Sequence, residues 1–209
     1  MTNQNTPIEQ QTNRENDWTK RICRMLNAFL KSYDLYAKTR QKIPYSQEID
    51  GYSDDGAPIY MDPDCFETDL MIYELKDGVK KPRVIVEAKY TSITTHDAIT
   101  YSSKAAMHKT ITPYLRYGIM IGASDRKALP GRLFHHGTNF DFMFSFVGEE
   151  PSKNEWETYT DMILKEVEYS RTMEFILHEK KRNKNKYFML QKQLVLAEQE
   201  NDKGKKNKR

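Results

Sequence analysis

Between residues 66 and 148 the spacing of apolar residues changes period several times, and the changes outline a sheet. FETDLMIYEL (66–75) and RVIVEAKY (83–90) alternate or run apolar, as strands do, and Asp77-Gly78 in the connection makes them a hairpin. THDAITYSSKAAMHKTI (95–111) has the spacing of a helix with a small-residue face, formed by Ala98, Ala105 and Ala106. Thr94 or Thr95 supplies its N-cap. YLRYGIMIGAS (114–124) and NFDFMFSFVG (139–148) return to strand patterns. The strand, helix, strand succession over 83–124 predicts parallel strands joined by a crossover, and the preceding hairpin makes the sheet mixed.

Helical patterns flank this region. From Trp18, apolar residues recur at Ile22, Met25, Leu26, Phe29 and Leu30, which predicts a helix ending near Tyr33 and capped by Asn13 or Asn16. Residues 1–13 are polar and expected to be disordered. In the mixed stretch 34–62, DLYAKT suggests a short strand and EIDGYSDDGAPIYMDPD is rich in turn residues. After Glu155 a stripe of Trp156, Tyr159, Met162, Ile163 and Val167 continues through Met173, Ile176 and Leu177, then resumes at Phe188, Met189, Leu194 and Val195. Two helices broken near 181–186 are expected. The organisation is then a tail (1–13), an α/β core with a mixed sheet flanked by helices (14–150), a helical C-terminal extension (151–200) suited to dimerisation or DNA contact, and a basic tail (201–209).

Composition narrows the class. The chain has 209 residues, 38% of them apolar, enough for one domain with an appendage. No stretch approaches the roughly 18 consecutive apolar residues of a spanning helix, and the polar N-terminus lacks a signal-peptide pattern. Cys23 and Cys65 have no partner at metal-finger spacing and are expected to be reduced thiols of a cytoplasmic protein. The net charge is +3, but KKRNKNK (180–186) and KGKKNKR (203–209) each hold five basic residues and no acid; without them 23 basic residues face 30 acidic ones. Lys180, Lys181, Arg182, Lys184 and Lys186 are thereby candidates for phosphate contact.

Chemistry enters through RVIVEAKY. Glu87 and Lys89 share one face of a core strand, where unpaired charge is costly. Glu67 and Asp69 share a face of the preceding strand, and the hairpin brings Asp69 towards Glu87 and Lys89. Two carboxylates converging on a sheet suit Mg²⁺, and an adjacent lysine can orient or deprotonate water or stabilise a phosphoryl transition state.

Asp69 in FETDLMIYE, followed 18 residues on by Glu87-Ala88-Lys89 in VIVEAKY, resembles the PD-(D/E)XK nuclease superfamily, the restriction-endonuclease-like fold. The resemblance extends over roughly residues 14–147. It implies that Asp69, Glu87 and the main-chain carbonyl of Ala88 bind Mg²⁺, with Mn²⁺ as a substitute, and that Lys89 serves catalysis. An acid from the first helix is also implied; Glu15 is the candidate, with Glu67 a further accessory carboxylate. Proline precedes Asp64 rather than Asp69, but the aliphatic LMIY directly follows Asp69 and favours it. The helix after the motif offers Tyr101 and Lys104 in place of the Gln-x-x-x-Tyr signature of exonuclease-helicase relatives, which points to the endonuclease branch.

The implied activity is Mg²⁺-dependent cleavage of double-stranded DNA by a type II restriction-like endonuclease, acting as a homodimer. The alternatives are an inactive nuclease fold serving as a DNA-binding scaffold, and a resolvase or transposase subunit. Lys104 and Lys109 are candidate phosphate contacts from the helix, with Arg116 in reserve. His135 and His136 are expected to be solvated in a loop, His96 and His108 to be structural or DNA-facing. Phe140, Phe142, Phe144 and Phe146 are expected in the core.

Overall fold

The computed structural model describes residues 7–124, 128–178, 187–190 and 194–197. Helix α1 (Pro7–Leu30) leads through a short 3-10 turn into β1 (Leu35–Pro44). A small hairpin follows, β2 (Ile49–Tyr52) and β3 (Pro58–Tyr60), then the long hairpin β4 (Cys65–Lys76) and β5 (Val79–Tyr90). Next come α2 (Thr95–Ile111), β6 (Arg116–Gly122), α3 (Gly131–His136), β7 (Phe142–Ser145) and α4 (Lys153–His178). The central sheet has the order β1-β4-β5-β6-β7. β1, β4 and β5 are antiparallel neighbours, whereas β5, β6 and β7 run parallel. The expected mixed α/β sheet flanked by helices is therefore present.

The sheet is buried on both faces. On one, Trp18, Ile22, Leu26 and Leu30 of α1 meet Leu70, Ile72, Val84 and Val86, together with Tyr159, Ile163 and Val167 of α4. On the other, Ala98 and Ala105 of α2 and Leu133 of α3 cover Met71, Ile85, Ile119 and Ile121. Each fully buried large aliphatic side chain contributes about 1.5–3 kcal/mol. One face of α4 is thus part of the core. Ion pairs reinforce its docking: Glu174 meets Lys81 and Arg83, and Glu166 meets Arg116.

The β4–β5 turn is built as its sequence demands. Asp77 and Gly78 both adopt left-handed φ, 53° and 77°, as the two central residues of a tight hairpin require. Thr94 caps α2 in a reciprocal box with Asp97. Gly122 serves a packing need, since a Cβ there would lie 2.3 Å from the ring of Trp18. Its bare backbone lets α1 lie close on the sheet.

Several elements differ from the sequence expectation. α1 begins at Pro7, so residues 7–13 are helical rather than disordered. Proline is favoured in the first turn of a helix, and the Gln, Glu and Arg residues behind it are good helix formers without apolar periodicity. β1 is a ten-residue strand rather than a short one. The exposed β2–β3 hairpin and the short α3 carry too few buried residues to show a period. β7 spans only Phe142–Ser145, so Phe142 and Phe146 pack with α1 and α4 while Phe140, before the strand, packs with α2 and α3. Residues 187–190 and 194–197 are not helical, and Phe188, Met189, Leu194 and Val195 are exposed. An apolar stripe without a surface to cover gives a helix little stability.

Candidate active site

The site lies where two core strands part. β4 and β5 are paired from Lys76–Val79 to Leu70–Val86. Beyond that point β4 continues beside β1, down to Cys65, while β5 continues beside β6, up to Tyr90. The fork opens at Asp69 and Glu87. Strand separation deprives main-chain groups of their ladder partners, and such groups need replacements. Carboxylates supply them: Asp69 Oδ2 accepts from the Ala88 N–H at 2.8 Å, and Glu15 Oε2 accepts from the Tyr90 N–H at 3.2 Å. In an extended strand the N–H and C=O of one residue point to the same side. The Ala88 carbonyl therefore opens into the same gap as Asp69.

Glu87 faces α2 and is 1% exposed. The Tyr117 hydroxyl donates to its Oε1. Burial, with the adjacent Asp69 carboxylate, pushes the Glu87 carboxyl up to about 8. Asp69 is half-buried and lines a shallow pocket with Asn16, Thr19, Lys20, Thr39 and Arg40. Arg40, between the paired Thr39 and Gln41 of β1, has φ 55°, a left-handed conformation that costs a non-glycine residue about 1–3 kcal/mol.

The Lys89 ammonium is turned towards α1 and α2. Its Nζ lies 3.6 Å from Glu15 Oε1, 3.9 Å from Asp97 Oδ1 and 5.1 Å from the centre of the Tyr101 ring. Burial acts to lower its pKa, but Tyr101, Glu15 and Asp97 outweigh that and hold it above the ordinary lysine range. These neighbours favour the charged form of Lys89 and hold its ammonium between α1 and α2. Asp97 reaches it while capping α2: burial acts upward on this carboxyl, and the Thr94 hydrogen bonds with Lys89 and His96 hold it below its ordinary value. Glu15 is raised by burial, against the pull of Lys89. Its helix is held in place by Trp18 and Arg21, which donate to the Glu149 carbonyl.

Burial and the neighbouring Asp69 disfavour the charged form of Glu87, and a bound cation would let both adjacent carboxyls ionise. A hard divalent cation fits this donor set: Asp69, Glu87 and the Ala88 carbonyl present oxygen only. Among the described residues no three His, Cys, Asp or Glu side chains form a metal cluster. Two carboxylates suit Mg²⁺, which keeps several of its waters and is commonly held by one or two of them.

The remaining candidates separate clearly. Glu67 is exposed and paired with Arg40 at 2.8 Å, outside the fork. Asp64 is exposed before β4, accepting from Ser46 at its side chain and from the Tyr45 N–H at its carbonyl. Lys104 lies over Phe66 and Tyr101, 5.1 and 5.0 Å from the ring centres, and near enough to Glu87 to lower its pKa. Lys109 is bound internally, to Asp141 at 2.8 Å and the Asn139 carbonyl at 2.7 Å, and Arg116 to Asp141 and Glu166. His108 is a buried structural residue bonded to the Pro44 carbonyl, whereas His96, His135 and His136 are exposed. Lys180, Lys181, Arg182, Lys184 and Lys186 lie outside the described residues. Tyr117 and Asp97 were not evident from the sequence; the only hints were a lone tyrosine in the apolar run YGIMIG and the spacing of a capping box.

No family model matches this chain, and no curated protein matches it. Among solved structures, the crystal structure of the pre-specific restriction endonuclease BsaWI in complex with DNA is similar, with a TM-score of 0.41 and 11% sequence identity. The match covers 78% of this chain and 63% of that one, so the chain spans less than two thirds of its length. Among the described residues no helix is long and apolar enough to cross a membrane.

Proposed function

We propose that this chain is a Mg²⁺-dependent nuclease that hydrolyses phosphodiester bonds in double-stranded DNA, of the type II restriction kind. The fork between β4 and β5 carries the proposal: it converges Asp69, Glu87 and the Ala88 carbonyl, with Lys89 fixed as a cation beside them. Asp69 and Glu87 would hold the ion, and the Ala88 carbonyl would complete the protein's share of ligands. When bound, the ion supplies Lewis-acid neutralisation of phosphate charge and a more acidic water. Lys89 stabilises charge developing on the phosphoryl oxygens and orients the attacking water through hydrogen bonds it donates. Glu15 and Asp97 keep its ammonium in place, and Lys104 stands ready at a neighbouring phosphate.

Cleavage of both strands calls for two such sites, which is the basis for proposing a homodimer. Asp69, Glu87 and Lys89 are all present, which weighs against an inactive scaffold. The test is incubation with plasmid DNA at matched Mg²⁺, Mn²⁺, Ca²⁺ and EDTA concentrations, with sequencing of any ends formed. Mg²⁺ and Mn²⁺ should support cleavage. Ca²⁺ should support binding alone, because its loose coordination activates water poorly. Intact plasmid in Mg²⁺ and Mn²⁺ contradicts the proposal.

A further inference from the structure

We infer that Tyr117 is a positioning residue that sets which oxygen of Glu87 faces the metal ion. The inference rests on the nuclease proposal, in which Glu87 is a ligand. Tyr117 lies on β6 in register with Ile85, is wholly buried, and donates its hydroxyl hydrogen to Glu87 Oε1. That hydroxyl has one hydrogen to give, so its bond marks Oε1 and leaves Oε2 without this donor.

The tyrosine is itself held from several directions. Its N–H donates to Asp141 Oδ2 at 2.8 Å, and its carbonyl accepts from the Asp141 N–H at 2.7 Å. Its ring stacks on His108, with centres 5.4 Å apart and planes 23° apart. His108 in turn is fixed by its Nδ1, 3.0 Å from the Pro44 carbonyl at the end of β1. A carbonyl only accepts, so Nδ1 carries the hydrogen and the ring orientation is defined. The chain of contacts runs from β1 through α2 to β6 and ends on the Glu87 carboxylate. A tyrosine needed only for bulk would not require its hydroxyl at that oxygen.

Groups that orient metal ligands in this way typically affect metal affinity or activity by about 10–100-fold. Tyr117→Phe keeps the ring and its stacking and removes one oxygen. Calcium binding is measured by titration calorimetry on the wild-type protein, Tyr117→Phe, Glu87→Gln and the double variant. Thermal unfolding confirms that each variant is folded. The Phe variant should bind Ca²⁺ about 10–100-fold more weakly and need correspondingly more Mg²⁺ for half-maximal cleavage. In the Glu87→Gln background the same change should have no further effect on whatever binding remains. Wild-type calcium affinity in a folded Tyr117→Phe variant overturns the inference. A wild-type protein that neither binds calcium nor cuts DNA defeats the nuclease proposal, and this inference with it.

Discussion

Asp69 Oδ2 sits 2.8 Å from the main-chain nitrogen of Ala88, a side chain standing where a strand would otherwise pair. This contact ties the first carboxylate to the strand that carries the second. Asp69→Asn retains an acceptor for the Ala88 N–H but removes the charge. It should therefore preserve the fold while weakening divalent-ion binding, which calorimetric titration with Ca²⁺ measures. Asp69→Ala loses both and should also lower the unfolding midpoint.

Lys89→Ala should reduce the cleavage rate at saturating Mg²⁺ by about 10²-fold or more. Calcium affinity should stay near wild type, because an ammonium has no lone pair to offer the ion. Single-turnover rates and calcium titration together separate the two effects. A large loss of affinity at an unchanged rate would reassign Lys89 to metal binding.

The metal-free protein should lose stability as pH rises. The Glu87 carboxyl has an ordinary value of 4.5 and is pushed up to about 8 in the fold. Between those values the folded state holds a proton that the unfolded chain releases, so unfolding becomes easier with increasing pH. Thermal midpoints in EDTA should fall from pH 5 to pH 8 more steeply in wild type than in Glu87→Gln. Divalent metal should restore most of the loss at pH 8. Equal slopes in the two proteins would contradict a buried carboxyl with a raised pKa at this position.

Gly122→Ala should disturb the site from the opposite face of the sheet. The added Cβ would meet the Trp18 ring, on the helix that carries Glu15 to Lys89. Overpacking of this kind costs typically about 1–3 kcal/mol. Denaturant unfolding measures that cost, and a reduced cleavage rate should accompany it.

Neutralising Lys180, Lys181, Arg182, Lys184 and Lys186, or deleting 203–209, tests the basic runs. Each lost duplex contact should flatten the dependence of log affinity on log salt by about 0.9, with sequence preference retained. Deletion of the tail should change the slope by only about 1–2. An unchanged slope in both variants would place the duplex on the core, with Lys104 as its leading contact.

Period-two alternation was enough to put Glu87 and Lys89 on one face, and the Asp-Gly turn was enough to bring Asp69 beside them. Both signals are local. The role of Glu15 depends on a helix that starts in polar sequence, where no apolar period marks it, and on Trp18 fitting over Gly122, 104 residues away in sequence. Lys109 and Arg116 resemble free cations in sequence because their partner, Asp141, comes from another strand region. Tyr117 reads as core and is core; only the three-dimensional register shows its hydroxyl at Glu87. Glu67 shares the period-two argument with Asp69, yet Arg40 pairs with it from β1. Pairing between distant elements is what the sequence could not reveal.

The most direct test is a side-by-side measurement of single-turnover DNA cleavage in Mg²⁺ by wild type, Asp69→Ala, Glu87→Ala and Asp64→Ala. The wild-type and Asp64→Ala proteins should cut at similar rates, since Asp64 lies exposed outside the fork. Asp69→Ala and Glu87→Ala should show no Mg²⁺-dependent cleavage. An inactive Asp64→Ala beside an active Asp69→Ala would contradict the placement of the metal site at the parting of β4 and β5.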